Sequence, residues 1–302
     1  MTLSTKALLK RNAAYYSFLL LPLTIYFVFF IFPNAKALVW SFFKWDGMAP
    51  EMEFVRFRNY VDLFTKDTRF YIALKNTFIY TFILMIGSNL MGLIIALLIH
   101  RPSRLNNVFR TIFYLPGVLA TVAIGSMWTL GIYNPNFGVL NTALSAIGLE
   151  SLTTAWLADP KTALACVALV HVWQNLGFSM ILYIAGLQEI PEELYEATAI
   201  EGASSWQTIW HVTLPLLRRV AAMVMVLVLI FGMRSFDLIF IMTEGGSAFG
   251  TTEVLTTLLF RQGFTYRKVG FSNAIAVILL CVVVLTSAIQ RWFLREDKGV
   301  KS

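Results

Sequence analysis

Three observations in the sequence predict an all-α integral membrane protein with six transmembrane helices and a cytoplasmic helix-glycine-helix loop between the fourth and fifth. First, 58% of the 302 residues are hydrophobic, 14% are charged and 25 are Phe, far from the balance of soluble domains. Second, six apolar runs of roughly 20 residues recur along the chain, each long enough to cross ~30 Å of hydrocarbon as a helix. Third, these runs are apolar on every face, as in AIAVILLCVVVL, whereas the strands of a closed barrel alternate in polarity.

The first run, Tyr16–Phe32, follows Lys10 and Arg11 and precedes Ala35-Lys36-Ala37, a rough match to a signal-peptide cleavage site. It is longer than the ~7–15-residue apolar core of such peptides, and Pro33 and Lys36 suit a helix end at the interface, so it is read as a retained span. The loop up to Lys75 contains VRFRNYVDLFTKDTRFYIALKNT, where aromatics alternate with charges as in an interfacial helix leading into the second span, Thr77–Ile99. The remaining spans are Thr111–Ile132, Ala163–Leu187, Val220–Met242 and Phe271–Trp292.

Six spans put both termini on one face. The connection HRPSRLNNVFR carries Arg101, Arg104 and Arg110 without an acid, and the tail RWFLREDKGVKS is rich in bases, while the opposite loops mix acids with bases. That density places the termini, and the stretch Pro191–Pro215, in the cytoplasm of a cell (inner) membrane protein. Residues 1–75 then hold an N-terminal cytoplasmic segment, the first span and an outer loop; 76–293 form the main transmembrane domain; 294–302 are a cytoplasmic tail. The net charge of +7 reads as anchoring to anionic membrane lipid, and no aromatic-basic motif argues for nucleic acid.

Several chemistries are not expected. Cys166 and Cys281 both lie in spans, so no disulfide framework is foreseen. His100, His171 and His211 fall in separate segments without ligand spacing, which argues against a metal site. The sequence has neither a glycine-rich phosphate loop ending in Gly-Lys-Ser/Thr nor a Gly-x-Ser-x-Gly nucleophile turn, and no catalytic residue is assigned.

The polar stretch PEELYEATAIEGASSWQTIWHVTLP stands out between two apolar runs. Pro191 suits the first position of a helix, Glu192 and Glu193 favour its first turn, and Leu194, Ala197 and Ile200 give it a weakly apolar face. Gly202 stops that helix. Ser204 with Gln207 resembles a capping box, and Trp206, Ile209, Trp210 and Thr213 line a second helix ended by Pro215. Helices of about ten residues are marginal alone, so both need partners. The two Trp suit the protein's own membrane ends, and the Glu-rich helix suits a groove in another protein.

The segment YEATAIEGASSWQTIWHVTLPLL resembles the EAA loop of binding-protein-dependent ABC importer permeases. Glu196-Ala197, Gly202 and Leu214-Pro215 match that family's positions, with Thr198 for the second Ala, Glu201 where Asp is common and Val212 for Ile. FDLIFIMTEGGSAFGTTEVLTTLLFRQGF and YNPNFGVLN look like segments of carbohydrate importer permeases of the maltose and glycerol-3-phosphate type, with Ser247 replacing the usual Pro. The resemblance implies a permease subunit and not an enzyme. It implies a second related permease in a heterodimeric pore, an ABC ATPase dimer that binds ATP and magnesium, and an external solute-binding protein delivering a carbohydrate or polyol. In the resemblance, Glu192–Glu201 is the coupling helix that docks on the ATPase, and import proceeds by alternating access.

A solute path needs polar groups inside spans, where each is costly unless it faces protein or water. The candidates are Asn89 in the second span, His171, Gln174 and Asn175 in the fourth, and Arg234 and Asp237 in the fifth. Trp173, Phe178, Phe231 and Phe236 would offer flat faces to a sugar ring. Arg234 and Asp237, three apart, could instead neutralise each other, and amides can join spans. A secondary transporter or channel uncoupled from an ATPase is the alternative reading; a membrane-embedded enzyme would need clustered His or carboxylates.

Overall fold

The computed structural model describes residues 17–245 and 250–293. Lys10, Arg11, Ser247 and the tail 294–302 lie outside them. The chain divides into two compact units, residues 1–66 with 259–278, and residues 67–258 with 279–302.

In the first unit, α1 (Ser17–Trp40) continues eight residues beyond the expected end at Phe32. It passes through Pro33 because a π turn at Phe27–Ile31 precedes it: the Phe32 N–H reaches the Phe27 carbonyl, and the widened turn keeps the proline ring clear of the backbone behind it. Lys36 therefore sits within the helix, its ammonium 4.5 Å from the Phe32 ring centroid and 5.6 Å from that of Trp40. The strands β1 (Phe43–Lys44) and β2 (Glu53–Phe54) pair antiparallel. In the turn between them the backbone N–H groups of Ala49 and Met48 donate to Asp46 at 2.8 and 2.9 Å, which holds its carboxyl below the usual range. A helix, α2 (Arg58–Thr65), falls where the aromatic-charge alternation predicts one. Asn59 ties it down by donating to the carbonyls of Ser41 and Phe43.

The second unit is built on α3 (Thr68–Ile99), whose N-terminus is capped by Asp67 accepting from the N–H groups of Arg69 and Phe70. Next come α4 (Arg104–Val118) and α5 (Thr121–Ile132). They were expected to form one straight third span, Thr111–Ile132, but meet at 95°. Pro116-Gly117 weakens the last turn of α4, and Leu119 and Ala120 are extended, so the helix cannot continue although both halves are equally apolar.

Beyond α6 (Val139–Ala146), α7 (Ala163–Gln188) packs along α3. One core cluster centres on Leu84, Leu176, Met180 and Tyr183, and another on Tyr80, Ile124, Val167 and Ile239. Then α8 (Glu192–Ile200), α9 (Ser205–Met233) and α10 (Asp237–Thr243) follow. The expected fifth span, Val220–Met242, is thus shared between α9 and α10, which are separated at Arg234–Phe236. The short α11 (Leu255–Phe260) and the long α12 (Val269–Phe293) complete the described chain. Among the described residues five helices, α1, α3, α7, α9 and α12, are long and apolar enough to cross a membrane, and the bent α4–α5 pair makes a sixth candidate.

Arg110 on α4 closes the C-terminus of α3. Its Nη2 donates to the carbonyls of Ile99 and His100 at 2.9 and 2.7 Å, satisfying groups that a helix end leaves without intrahelical partners. Arg110→Ala is expected to destabilise the protein by about 1–3 kcal/mol, read as a lower thermal unfolding midpoint in detergent. Arg110→Lys should recover only part, because an ammonium lacks the guanidinium fork. An unchanged midpoint in the Ala variant would show that the cap is dispensable.

Candidate functional site

Two breaks in helical structure, between α4 and α5 and between α9 and α10, face a stretch of α7 around a cavity of about 470 Å³. That volume falls within the ~300–1,000 Å³ usual for small-molecule sites. From α7 it takes His171, Gln174, Asn175 and Phe178, whose spacing of three, four and seven residues puts them on one helical face. Tyr114, Gly117 and Thr121 come from the first break; Phe231, Arg234, Ser235, Phe236, Asp237 and Leu238 come from the second.

The polar groups are held individually. The Tyr80 hydroxyl lies 2.9 Å from His171 Nδ1, and Ser235 Oγ donates to that hydroxyl at 3.3 Å. Gln174 Nε2 donates to Thr121 Oγ1 at 3.3 Å, bridging α7 to the start of α5. Asn175 Nδ2 is shielded from solvent and has no hydrogen-bond partner among the described residues. The rings of Phe178 and Phe231 meet edge to face with centroids 5.5 Å apart. Arg234 and Asp237 do not share one helix as expected: Arg234 follows the end of α9 and Asp237 begins α10.

Two expected path residues are elsewhere. Trp173, two residues from His171, is turned ~200° around α7, and its ring packs edge to face on Trp128. Asn89 is buried between helices, donating to the Met85 carbonyl and accepting from Tyr183 at 2.9 Å. Sequence reasoning missed Tyr114, Thr121, Ser235 and the supporting Tyr80. The Pro116-Gly117 pair was the available signal for the first of these, since a breaker inside an apolar run marks a discontinuous helix.

The 191–215 loop has the helix-glycine-helix form. In α8, Glu192, Glu193, Glu196 and Ala197 are exposed and no side chain is buried. After Glu201, Gly202 adopts φ +74°; its N–H donates to Ala199 and the next N–H, of Ala203, to Thr198, the two bonds of a Schellman cap. Ser204 and Gln207 form the expected capping box. Thr208 Oγ1 donates to Thr198 Oγ1 at 3.3 Å, so the residue that departs from the EAA pattern links the two helices.

Two expectations for this loop are corrected. Pro215 does not end the second helix. A π turn at Ile209–Thr213, with the Leu214 N–H reaching the Ile209 carbonyl, lets α9 run through Leu214 and Pro215 for 29 residues, or ~43 Å, to the edge of the cavity. Trp206 and Trp210 do not pack against the membrane ends of the chain; they contact each other edge to face and remain 66% and 52% exposed.

Residues 88–296 match the model of a family described as binding-protein-dependent transport system inner membrane component. The chain is 36% identical to the probable ABC transporter permease protein YurN of Bacillus subtilis, over 92% of this chain and 95% of that protein. It is 35% identical to the multiple sugar-binding transport system permease protein MsmF of Streptococcus mutans, over 91% and 93% of the two chains. Its fold matches, at a TM-score of 0.82 and 25% identity over 96% of this chain and 98% of the other, a chain of a bacterial ABC transporter that imports the acidic polysaccharide alginate.

Proposed function

Because this chain belongs to the binding-protein-dependent transport system inner membrane components, we propose that it forms half of the translocation path of an ATP-driven importer for a carbohydrate or related polyol. A second, related permease supplies the other half. An external solute-binding protein delivers the solute, and a separate ATPase dimer, holding ATP and magnesium, docks on α8.

The observation that carries this reading is the continuity of α9. One unbroken helix begins three residues after Gly202 and ends beside Arg234 in the cavity wall, so displacement at the loop is delivered to the cavity without an intervening hinge. Rigid-body movement of such a helix suits alternating access. The sugar class is supported by the cavity's own chemistry, in which Asn175, its Nδ2 without a partner among the described residues, and the guanidinium of Arg234 line the same cavity as the rings of Phe178 and Phe231. The names of two relatives point the same way, one to multiple sugars and one to alginate.

Reconstitution with the cognate ATPase and solute-binding protein in proteoliposomes tests the proposal. Uptake is expected to require both ATP and the binding protein; solute flux in the absence of either favours a channel or secondary transporter. In the same assay Asn175→Leu is expected to reduce apparent affinity several-fold, the effect of one hydrogen bond of ~0.5–1.5 kcal/mol, with the ATPase still bound. Loss of ATPase assembly together with uptake would mark Asn175 as a structural amide instead.

A further inference from the structure

We infer that Ser235 and Tyr80 are positioning residues that fix His171 as a hydrogen-bond donor to the cavity, so that the cavity selects a solute oxygen able to accept at that point and rejects an ammonium there. This deepens the carbohydrate reading and rests on it.

The argument is one of direction along a chain of three side chains. Ser235 lies just past the end of α9, where its carbonyl accepts from Thr256 Oγ1 and its N–H donates to the Gly232 carbonyl, so its place is set by backbone contacts on both sides. Its Oγ donates to the Tyr80 hydroxyl. Tyr80 is fully buried, and its oxygen, already accepting from Ser235, has its own proton left to give. The group within reach of that proton is His171 Nδ1 at 2.9 Å. With Nδ1 accepting, the neutral imidazole carries its proton on Nε2. The Tyr80 and His171 rings, 5.8 Å apart between centroids, hold this orientation. A charged imidazolium would also present an Nε2–H, so in either protonation state the nitrogen left over for the cavity is a donor.

That donor is not alone. Asn175 Nδ2 has no partner among the described residues, and Arg234 is donor-only, whereas Asp237 is the carboxylate lining the cavity. Hydroxyl, ring, glycosidic and carboxylate oxygens can all accept from such a set. The ammonium of a cationic amino sugar cannot accept, and would leave His171 Nε2–H without a partner on the solute.

The test uses the transporter assembled in lipid nanodiscs from this chain labelled with ¹⁵N-histidine and unlabelled partner subunits, so that only His100, His171 and His211 report. His100→Gln and His211→Gln variants assign the His171 resonances. The wild type is expected to show a proton on Nε2; a neutral ring protonated on Nδ1 alone would overturn the inference. Tyr80→Phe keeps the ring and removes the hydroxyl, and is expected to shift the tautomer balance toward Nδ1–H by about five-fold. Should Tyr80→Phe fail to assemble, Ser235→Ala leaves both partners in place, and the same shift, in smaller measure, is expected because Tyr80 is then free to accept from Nδ1. Unaltered His171 resonances in Ser235→Ala would refute the positioning role. These spectra need no solute, so failure of the inference is distinguishable from failure of the transport reading, which uptake measurements decide separately.

Discussion

Gly177→Val is expected to separate α4 from α7 and to lower the thermal unfolding midpoint more than any other single substitution described above. A Cβ at Gly177 would stand 2.5 Å from Tyr114 Cα and 2.6 Å from the Phe113 carbonyl oxygen. Both are backbone atoms, which cannot rotate away as a side-chain tip can. Overpacking of this kind costs about 1–3 kcal/mol and more where the backbone must move. Because Tyr114 and Asn175 line the same cavity, uptake should fall with stability. Gly131→Val is the control: a Cβ there meets nothing within 4 Å, and its midpoint should barely change. Equal behaviour of the two variants would show that the close approach of α4 and α7 is not a packing constraint.

Gly202→Val is expected to leave the protein inserted and bound to its ATPase while solute import collapses and ATP hydrolysis persists. The residue adopts φ +74°, and a Cβ would meet no neighbour, so the penalty is purely conformational. For an L-residue it amounts to about 1–2 kcal/mol, at the upper end for a β-branched side chain. Relief comes by abandoning the left-handed turn, which breaks the bonds from Gly202 to Ala199 and from Ala203 to Thr198 and alters the angle between α8 and α9. Gly202→Asn, which tolerates this conformation, should retain most import. Normal uptake by the Val variant in proteoliposomes would refute the role of the turn in transmission.

The spans were legible because hydropathy is a sum over about 20 residues and survives errors in any one of them. Boundaries were less so. Pro33 and Pro215 suggest helix ends, yet in both places a preceding π turn accommodates the ring, a device with no local sequence signature. Pro116-Gly117 is a break of the ordinary kind, hidden because the residues on either side are equally apolar. For the cavity, the one-face spacing of His171, Gln174, Asn175 and Phe178 was readable in principle. The same geometry would have excluded Trp173, but only once the cavity side of α7 is known. Asn89 belongs to a buried pair with Tyr183, 94 residues away, and such a partner cannot be found by helical spacing. The turn at Gly202 and the Ser204–Gln207 box were legible in full, since caps are local.

The cavity walls on two sides are chain interruptions, Val118 to Thr121 and Met233 to Asp237, while the core clusters that hold the unit together are drawn mostly from the continuous α3 and α7. Selectivity and foldability are therefore written largely in different residues. A lineage of such proteins can exchange Thr121 or Phe236 to suit a new solute while Leu84, Leu176 and Met180 stay as they are, and directed evolution confined to the two interruptions should change what is carried before it changes whether the protein folds.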